Sequence, residues 1–295
     1  MSLPGLRIGH AHCPVARTGV TILLPDRPVV MGCDVRGGGP GTRETDALEP
    51  STLVERVHGL VLSGGSVFGL EAASALTLLL ARAGHGLDGP EGLRIPVLPA
   101  AILYDLGNGG DKGWARPGGG EPPYARLAAE AWAALRETPA EGAVGAGFGA
   151  RAGSRAGGFA SVSARLDDGG WVAAYLAVNS FGEVVEGVPP TSGPVPAPKL
   201  ARAVRQGGST CIGAIATDVP LTRPAAKRLA MMAHDGLARA IRPIHTPFDG
   251  DALFAMSLSA ETPARVEPML LAELGTRAAD CVALAARRAV ALAAG

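Results

Sequence analysis

Three side-chain nucleophiles stand in a row in Gly207-Gly208-Ser209-Thr210-Cys211-Ile212-Gly213-Ala214-Ile215-Ala216-Thr217-Asp218, between a flexible glycine pair and an apolar run that reads as a buried strand. A threonine hydroxyl is a poor nucleophile unless a base lies beside it, and an α-amino group on the same residue is one way to supply that base. The reference α-amino pKa of roughly 7.7 to 8.0 lets it accept a proton near neutral pH. Such chemistry at Thr210 requires a backbone break after Ser209, in which the hydroxyl attacks the Ser209 carbonyl, the acyl group shifts from nitrogen to oxygen, and water releases it. Read alone, Thr210 is also an ordinary β-branched strand residue. Cys211 is a nucleophile by chemistry, but strand alternation turns it to the face opposite Thr210.

Two further elements could serve that centre. Asp249-Gly250-Asp251 places two carboxylates around a glycine at the mouth of a strand over 252–259, where they can orient the Thr210 amine and hydroxyl. Asp-Gly is equally the composition of a tight turn. Asn179 ends an apolar strand and its amide can donate to a developing oxyanion, although asparagine also closes turns at such places. Earlier in the chain Gly64-Gly65 turns away from a strand over 58–63, and Ser66 suits the cap of a helix from about 67 to 83. Free backbone amides at that helix start would offer Gly64, Gly65 and Ser66 to an anionic group of a substrate. Ser66 is a poor hydrolase elbow, because Phe68 occupies the second glycine of G-x-S-x-G.

Other candidates carry less. The loop from Arg36 to Asp46 sets Arg36 and Arg43 among glycines, a surface turn or a place where charge meets a ligand. Gly145 to Ala150 fits G-x-G-x-x-A without the amphipathic helix that a dinucleotide site needs. His10, His12 and Cys13 lack a fourth ligand, and no metal or cofactor is expected. His234 and His245 read as core or loop hydrogen-bonding groups, with His245 near enough in sequence to Asp249 to support it.

The positioning elements follow from periodicity. Strands are expected over 19–24 and 29–35 as a hairpin, over 94–99, and over 159–166 and 171–178 as a hairpin around Asp167-Asp168-Gly169-Gly170. Helices are expected over 124–136, after Thr222 with Pro224 in the first turn, and over 268–294. The Pro- and Gly-rich stretch 187–208 reads as a loop that presents Ser209-Thr210 to processing. These elements make one layered α/β domain. The 27 basic residues equal the 27 acidic ones in number, without a run of like charge, which argues against nucleic acid as a partner. No apolar run is long enough to span a bilayer, the start has no signal-peptide pattern, and four scattered cysteines suit reduced thiols, so a cytoplasmic location is expected. With aromatics at only 4%, Ala, Leu and Val must fill the core.

Thr210-Cys211-Ile212-Gly213-Ala214-Ile215-Ala216-Thr217-Asp218, Met232-Ala233-His234-Asp235-Gly236-Leu237-Ala238-Arg239-Ala240-Ile241-Arg242-Pro243 and Asp249-Gly250-Asp251-Ala252-Leu253-Phe254-Ala255-Met256 resemble the P1 family of self-processing peptidases. That group holds the DmpA-type L-aminopeptidase/D-esterases, the β-aminopeptidases and the nylon-oligomer hydrolases. Asp34-Val35-Arg36-Gly37-Gly38-Gly39-Pro40-Gly41-Thr42-Arg43-Glu44-Thr45-Asp46 and Ser63-Gly64-Gly65-Ser66-Val67-Phe68-Gly69-Leu70 agree with it as well, so the resemblance spans nearly the whole chain. It implies a four-layer α/β/β/α sandwich of the N-terminal-nucleophile-like type shared with ornithine acetyltransferase. It further implies a single domain over 1–295, cut into an α chain 1–209 and a β chain 210–295 that assemble as a homo-oligomer, a tetramer of αβ units. Thr210 falls on the nucleophile, Asp249 and Asp251 on its two supporting positions, and Asn179 on the oxyanion asparagine. The substrates implied are small peptides, amides or oligoamides; the alternatives are acyl transfer, as in ornithine acetyltransferase, or a silent ligand-binding protein on the same scaffold. Three departures from the pattern stand out: Ser209 where many members have Asn, Ser154 and Arg155 where a Lys is common, and Ile102 where β-aminopeptidases hold the substrate ammonium with a Glu. Asp105 is the nearby candidate for that ammonium, and Ile102 argues against a β-amino-acid specialist.

Overall fold

The computed structural model describes residues 3–186 and 208–294. In the first half the elements that matter are β1 (Leu6–Cys13), β2 (Thr18–Pro25), β3 (Val30–Val35), β4 (Thr42–Arg43), β5 (Leu60–Ser63), α1 (Glu71–Arg82), β6 (Ala100–Ile102) and α2 (Tyr124–Ala133). The second half supplies β7 (Gly158–Arg165), β8 (Trp171–Val178), β9 (Ile212–Thr217), α3 (Arg223–Ala240), β10 (Ala252–Ser257) and α4 (Pro268–Ala293). The strands form two five-stranded sheets, in the orders β1-β2-β5-β6-β4 and β7-β8-β9-β10-β3.

Apolar residues on both faces of a strand require cover on both sides, and β2, β9 and β10 are buried along their whole length. Between the sheets, Ile8, Leu23 and Leu62 meet Tyr175, Ile212 and Phe254. Leu76 and Leu80 of α1 and Leu127 of α2 cover the first sheet at Ile22 and Val61. Leu229 and Leu237 of α3 with Val282 and Ala286 of α4 cover the second at Ile215 and Leu253. The result is the expected α/β/β/α order. Small residues let α3 and α4 approach closely: a Cβ on Gly236 would stand 2.1 Å from the Ala279 carbonyl oxygen. This is how a chain poor in aromatics still packs densely.

Several expected elements form as read: the β7/β8 hairpin, β10, α4, and α3, whose Thr222 Oγ1 accepts the Ala225 N–H at 3.3 Å. Three differ. The segments 19–24 and 29–35 are not a hairpin, because β2 pairs with β1 and β5 whereas β3 crosses to the second sheet and pairs with β10. The two prolines between them cannot donate to a ladder, and Gly32 seats β3 under α3, where a Cβ would meet Lys227 N at 2.3 Å. The strand expected over 94–99 reduces to Arg94–Ile95, paired with Leu87–Asp88 on the surface, and the buried strand is β6 just beyond. Ser66 does not cap a helix: Gly65 and Ser66 have φ of 85° and 54°, and a short 3-10 turn over Ser66–Leu70 precedes α1. A capping serine needs extended backbone, which this left-handed pair excludes. The loop 187–208, read as presenting the processing site, lies outside the described residues except for Gly208.

Candidate active site

Strands β9 and β10 run parallel, with Ile212 opposite Ala252 and Thr217 opposite Ser257. The same offset continues upstream to a bridge between Ser209 and Asp249. Ser209-Thr210-Cys211 therefore lies alongside Asp249-Gly250-Asp251. Ser209 N–H donates to the Phe248 carbonyl at 2.8 Å and Gly250 N–H donates to the Ser209 carbonyl at 2.9 Å. Thr210 N–H donates to the Asn179 carbonyl at 2.5 Å. The peptide between Ser209 and Thr210 is thus held at both its oxygen and its nitrogen.

Thr210 is buried, and its hydroxyl lies over the bare Cα of Gly250. A Cβ there would stand 2.9 Å from Thr210 Oγ1 and 2.5 Å from the Gly39 carbonyl oxygen. Ile212 and Ala214, in phase with Thr210, face the other sheet, whereas Cys211 faces α3 and α4. Burial, then Asp251 and Asp249, push the Cys211 thiol well above its usual pKa, which leaves it unsuited to nucleophilic attack.

Both aspartates are fully buried. Asp249 Oδ1 accepts the Phe181 N–H at 3.2 Å, and its Oδ2 accepts the Thr246 N–H at 2.8 Å and the Thr246 hydroxyl at 2.6 Å. Burial, reinforced by Asp251, raises the Asp249 pKa against the lowering effect of those donors. Asp251 Oδ1 accepts the Cys211 N–H at 2.7 Å, and Oδ2 accepts His245 Nδ1–H at 2.8 Å and the His245 main-chain N–H at 3.2 Å. Among the described residues neither carboxylate hydrogen-bonds the Thr210 hydroxyl. Gly250, not either aspartate, is in phase with Thr210; Asp251 holds the main chain one residue beyond it, at Cys211, while Asp249 holds Phe181 and Thr246.

Asn179, buried at the end of β8, meets Thr210 through its carbonyl. Its Oδ1 accepts the Arg151 main-chain N–H at 2.8 Å and Asn108 Nδ2–H at 3.2 Å, while its Nδ2 donates to the Tyr104 carbonyl at 2.9 Å. The backbone donor settles which side-chain atom is oxygen, and the amide retains a second N–H to offer.

The amides of Gly64, Gly65 and Ser66 are not free. They donate to the Gly19 carbonyl at 2.9 Å, Asp105 Oδ1 at 2.9 Å and the Leu103 carbonyl at 3.0 Å. The left-handed turn that ruled out capping also directs these N–H groups inward. Asp105 is fully buried beneath the glycines, with no hydrogen-bond partner for Oδ2 among the described residues, and burial drives its pKa up to about 6. A Cβ on Gly64 would lie 2.2 Å from that Oδ2, and the Ile102 side chain packs against Gly41.

Sequence reasoning missed what holds the aspartate turn. Arg36 N–H donates to the Asp251 carbonyl at 2.9 Å, Gly38 N–H to the Thr246 carbonyl at 3.2 Å and Gly39 N–H to the Asp249 carbonyl at 2.8 Å. A Cβ on Gly37 would come 2.3 Å from the Asp249 carbonyl oxygen, so the run Gly37-Gly38-Gly39 was the available signal. The Arg36 guanidinium binds Asp34 and the Met231 carbonyl, and Arg43 binds Ser74 Oγ; both have internal partners. Near the N-terminus, His10 packs on Phe159 and His12 stacks on Phe148. A cavity of about 450 Å³ bordered by Cys13, Val15, Asp111, Trp114, Glu121 and Pro123 takes no wall from Thr210, Asn179 or the aspartates.

The chain is 38% identical over 318 residues to an uncharacterized aminopeptidase of Mycobacterium tuberculosis, covering 95% of this chain and 90% of the relative. It is 30% identical over 279 residues to the 6-aminohexanoate-oligomer endohydrolase of Paenarthrobacter ureafaciens, covering 86% and 73%. Its fold matches a Burkholderia sp. β-aminopeptidase with a TM-score of 0.71 at 22% identity. It matches the L-aminopeptidase D-Ala-esterase/amidase of Ochrobactrum anthropi, a variant of the Ntn hydrolase fold, with a TM-score of 0.72 at 22% identity; each match covers 97% of this chain and 84% of the other. The model of Peptidase family S58 matches residues 2–295, and the chain belongs to that family as a hydrolase of peptide or amide bonds.

Proposed function

We propose that Thr210 is the nucleophile of this hydrolase, freed when its own hydroxyl cuts the bond after Ser209. The observation that carries this reading is the doubly held Ser209–Thr210 peptide, with Gly250 N–H on its oxygen and the Asn179 carbonyl on its nitrogen. As Thr210 Oγ bonds to the Ser209 carbonyl carbon, negative charge grows on the oxygen that Gly250 already contacts. The C–N bond then breaks, the nitrogen takes up a proton to become an amine, and water hydrolyses the resulting ester. The products are an α chain of 1–209 and a β chain of 210–295.

In turnover the new amine takes the proton from Thr210 Oγ as it attacks a substrate carbonyl. The second N–H of Asn179 Nδ2 donates to the oxyanion, the leaving amine takes the proton back, and water attacks the acyl-threonine with the same amine as base. Asp249 and Asp251 hold the chain around this centre through Phe181, Thr246, His245 and Cys211. The relative named an aminopeptidase supports small peptides or amides cleaved next to a terminal amine, and the one named a 6-aminohexanoate-oligomer endohydrolase supports oligoamides as substrates. The isolated cysteines support a cytoplasmic setting, and the resemblance supports a homo-oligomer of αβ units.

Intact mass and N-terminal sequencing over time, with a panel of α-, β- and ω-aminoacyl amides, test the reading. Thr210→Ala is expected to stay one folded, inactive chain, and Thr210→Ser to keep cleaving. Full amide hydrolysis by an uncut chain, or a new N-terminus at Cys211, would overturn it. New amide forming faster than free acid when amino acids are added would instead identify a transferase.

A further inference from the structure

Asp251 is gripped from one side by a residue with an unusual backbone. His245 has φ of 57°, a left-handed conformation uncommon outside glycine, though histidine enters it more readily than most residues. That conformation turns both its main-chain N–H and its ring Nδ1–H onto the same oxygen, Asp251 Oδ2, at 3.2 and 2.8 Å. Asp251 Oδ1 is left for the Cys211 N–H at 2.7 Å, one peptide beyond Thr210. Behind His245 stands His234 of α3, with ring centroids 5.0 Å apart in an edge arrangement. His234 Nε2–H donates to the Asp34 carbonyl at 3.0 Å, and burial lowers its pKa to about 4, so it meets its neighbour as a neutral ring. Asp34 in turn binds Arg36 at 2.7 Å, in the loop whose N–H groups hold the Asp249 and Asp251 carbonyls. Arg36 also lies 3.7 Å from Asp235, and Asp249 is the acidic neighbour of Asp251.

We propose that His245 is a positioning residue for Thr210: it clamps Asp251 Oδ2 so that Oδ1 fixes the Cys211 N–H, and thereby sets the direction of the Thr210 hydroxyl in self-cleavage and turnover. His234 and Asp34 hold the His245 ring in place from α3 and β3. This rests on Thr210 being the nucleophile, and it adds a residue that touches neither substrate nor the reacting atoms.

The test compares three substitutions. Asparagine and aspartate are isosteric and both accept left-handed backbone, but only asparagine offers an N–H where His245 Nδ1 donates. His245→Gly keeps the backbone and removes the side chain. Each full-length variant is followed by intact mass for self-cleavage and, once cut, by kcat and KM on a small aminoacyl anilide, with circular dichroism to establish folding. His245→Asn is expected to process and turn over within about threefold of wild type, while His245→Gly and His245→Asp lose about tenfold or more in both rates at similar KM. The proposal is overturned if His245→Gly processes normally, or if the asparagine and aspartate variants are equally slow while folded. If the glycine variant does not fold, the asparagine and aspartate pair decides alone. Amide hydrolysis surviving in Thr210→Ala would instead refute the nucleophile assignment, whatever the His245 variants do.

Discussion

Asp105→Asn isolates a carboxylate that the fold holds in an expensive state. Asp105 is fully buried, one oxygen accepts the Gly65 N–H at 2.9 Å, and the other has no hydrogen-bond partner among the described residues. Burial is the dominant cause of the rise in its pKa from 3.8 to about 6; Thr18, Lys112 and Gly65 pull the other way. The native state therefore keeps its proton up to about pH 6, whereas the unfolded chain gives it up near 3.8. Asp105 thus contributes stability that is fully present below pH 3.8 and is lost as pH rises through 6. At about 1.4 kcal/mol per unit, a rise of about two units sets the loss at up to ~3 kcal/mol. Asparagine keeps the acceptor for Gly65 and carries no charge. The variant should gain ~1–3 kcal/mol at pH 8, an increase of a few degrees in melting temperature for a chain of this length. Its advantage should shrink towards zero at pH 4. Melting of both proteins from pH 4 to 8 reads the difference curve directly. An asparagine variant no more stable than wild type at pH 8, or one with an unchanged pH slope, refutes the reasoning. The same pair tests the ammonium-binding reading of Asp105: a buttress leaves KM for aminoacyl amides unchanged, whereas direct contact with the substrate raises it.

Gly250→Ala puts a Cβ 2.9 Å from Thr210 Oγ1 and 2.5 Å from the Gly39 carbonyl, so self-cleavage followed by intact mass should slow by about a hundredfold in a folded chain. Cys211→Ala should process at the wild-type rate and lower stability in urea by about 1 kcal/mol, the cost of a small void in a packed core. Asn108→Ala removes the donor to Asn179 Oδ1 and to the Gly149 carbonyl. It should lower kcat by roughly tenfold with KM little changed, if the Asn179 amide serves the oxyanion as proposed, because that amide loses one of its fixings.

How much of the fold could be read from sequence depends on whether the deciding signal was local. The β7/β8 hairpin carries Asp167-Asp168-Gly169-Gly170 between alternating runs, and α3 carries Thr222 with Pro224; in both, a few adjacent residues fix the outcome. The segments 19–24 and 29–35 have the same local appearance yet part company, because Gly32 fits under Lys227 of α3 nearly two hundred positions later. No window of sequence contains that contact. Ser66 failed for a subtler reason: Gly65 permits positive φ and Ser66 follows it there, so the side-chain rule for caps was applied to backbone that does not obey it.

The site shows the same division. Asp249, Gly250 and Asp251 could be picked out by type, and their closeness to Thr210 follows once Ser209 pairs with Asp249. What spacing alone did not reveal is which of the three faces the hydroxyl. In parallel strands held in register, side chains at matching positions share a face, so Thr210 shares with Gly250 and Cys211 shares with Asp251. The glycine is therefore the residue that must be small, and the acids act from behind through N–H groups. Their carboxylates are buried and tied to Phe181, Thr246, His245 and Cys211, while the loop from Arg36 holds their main-chain carbonyls. A centre built this way is stiff before any bond is cut. Cleavage after Ser209 would free the Thr210 nitrogen while Asp251 still holds the N–H of Cys211, leaving the new amine anchored one residue away by a contact that the cut does not break.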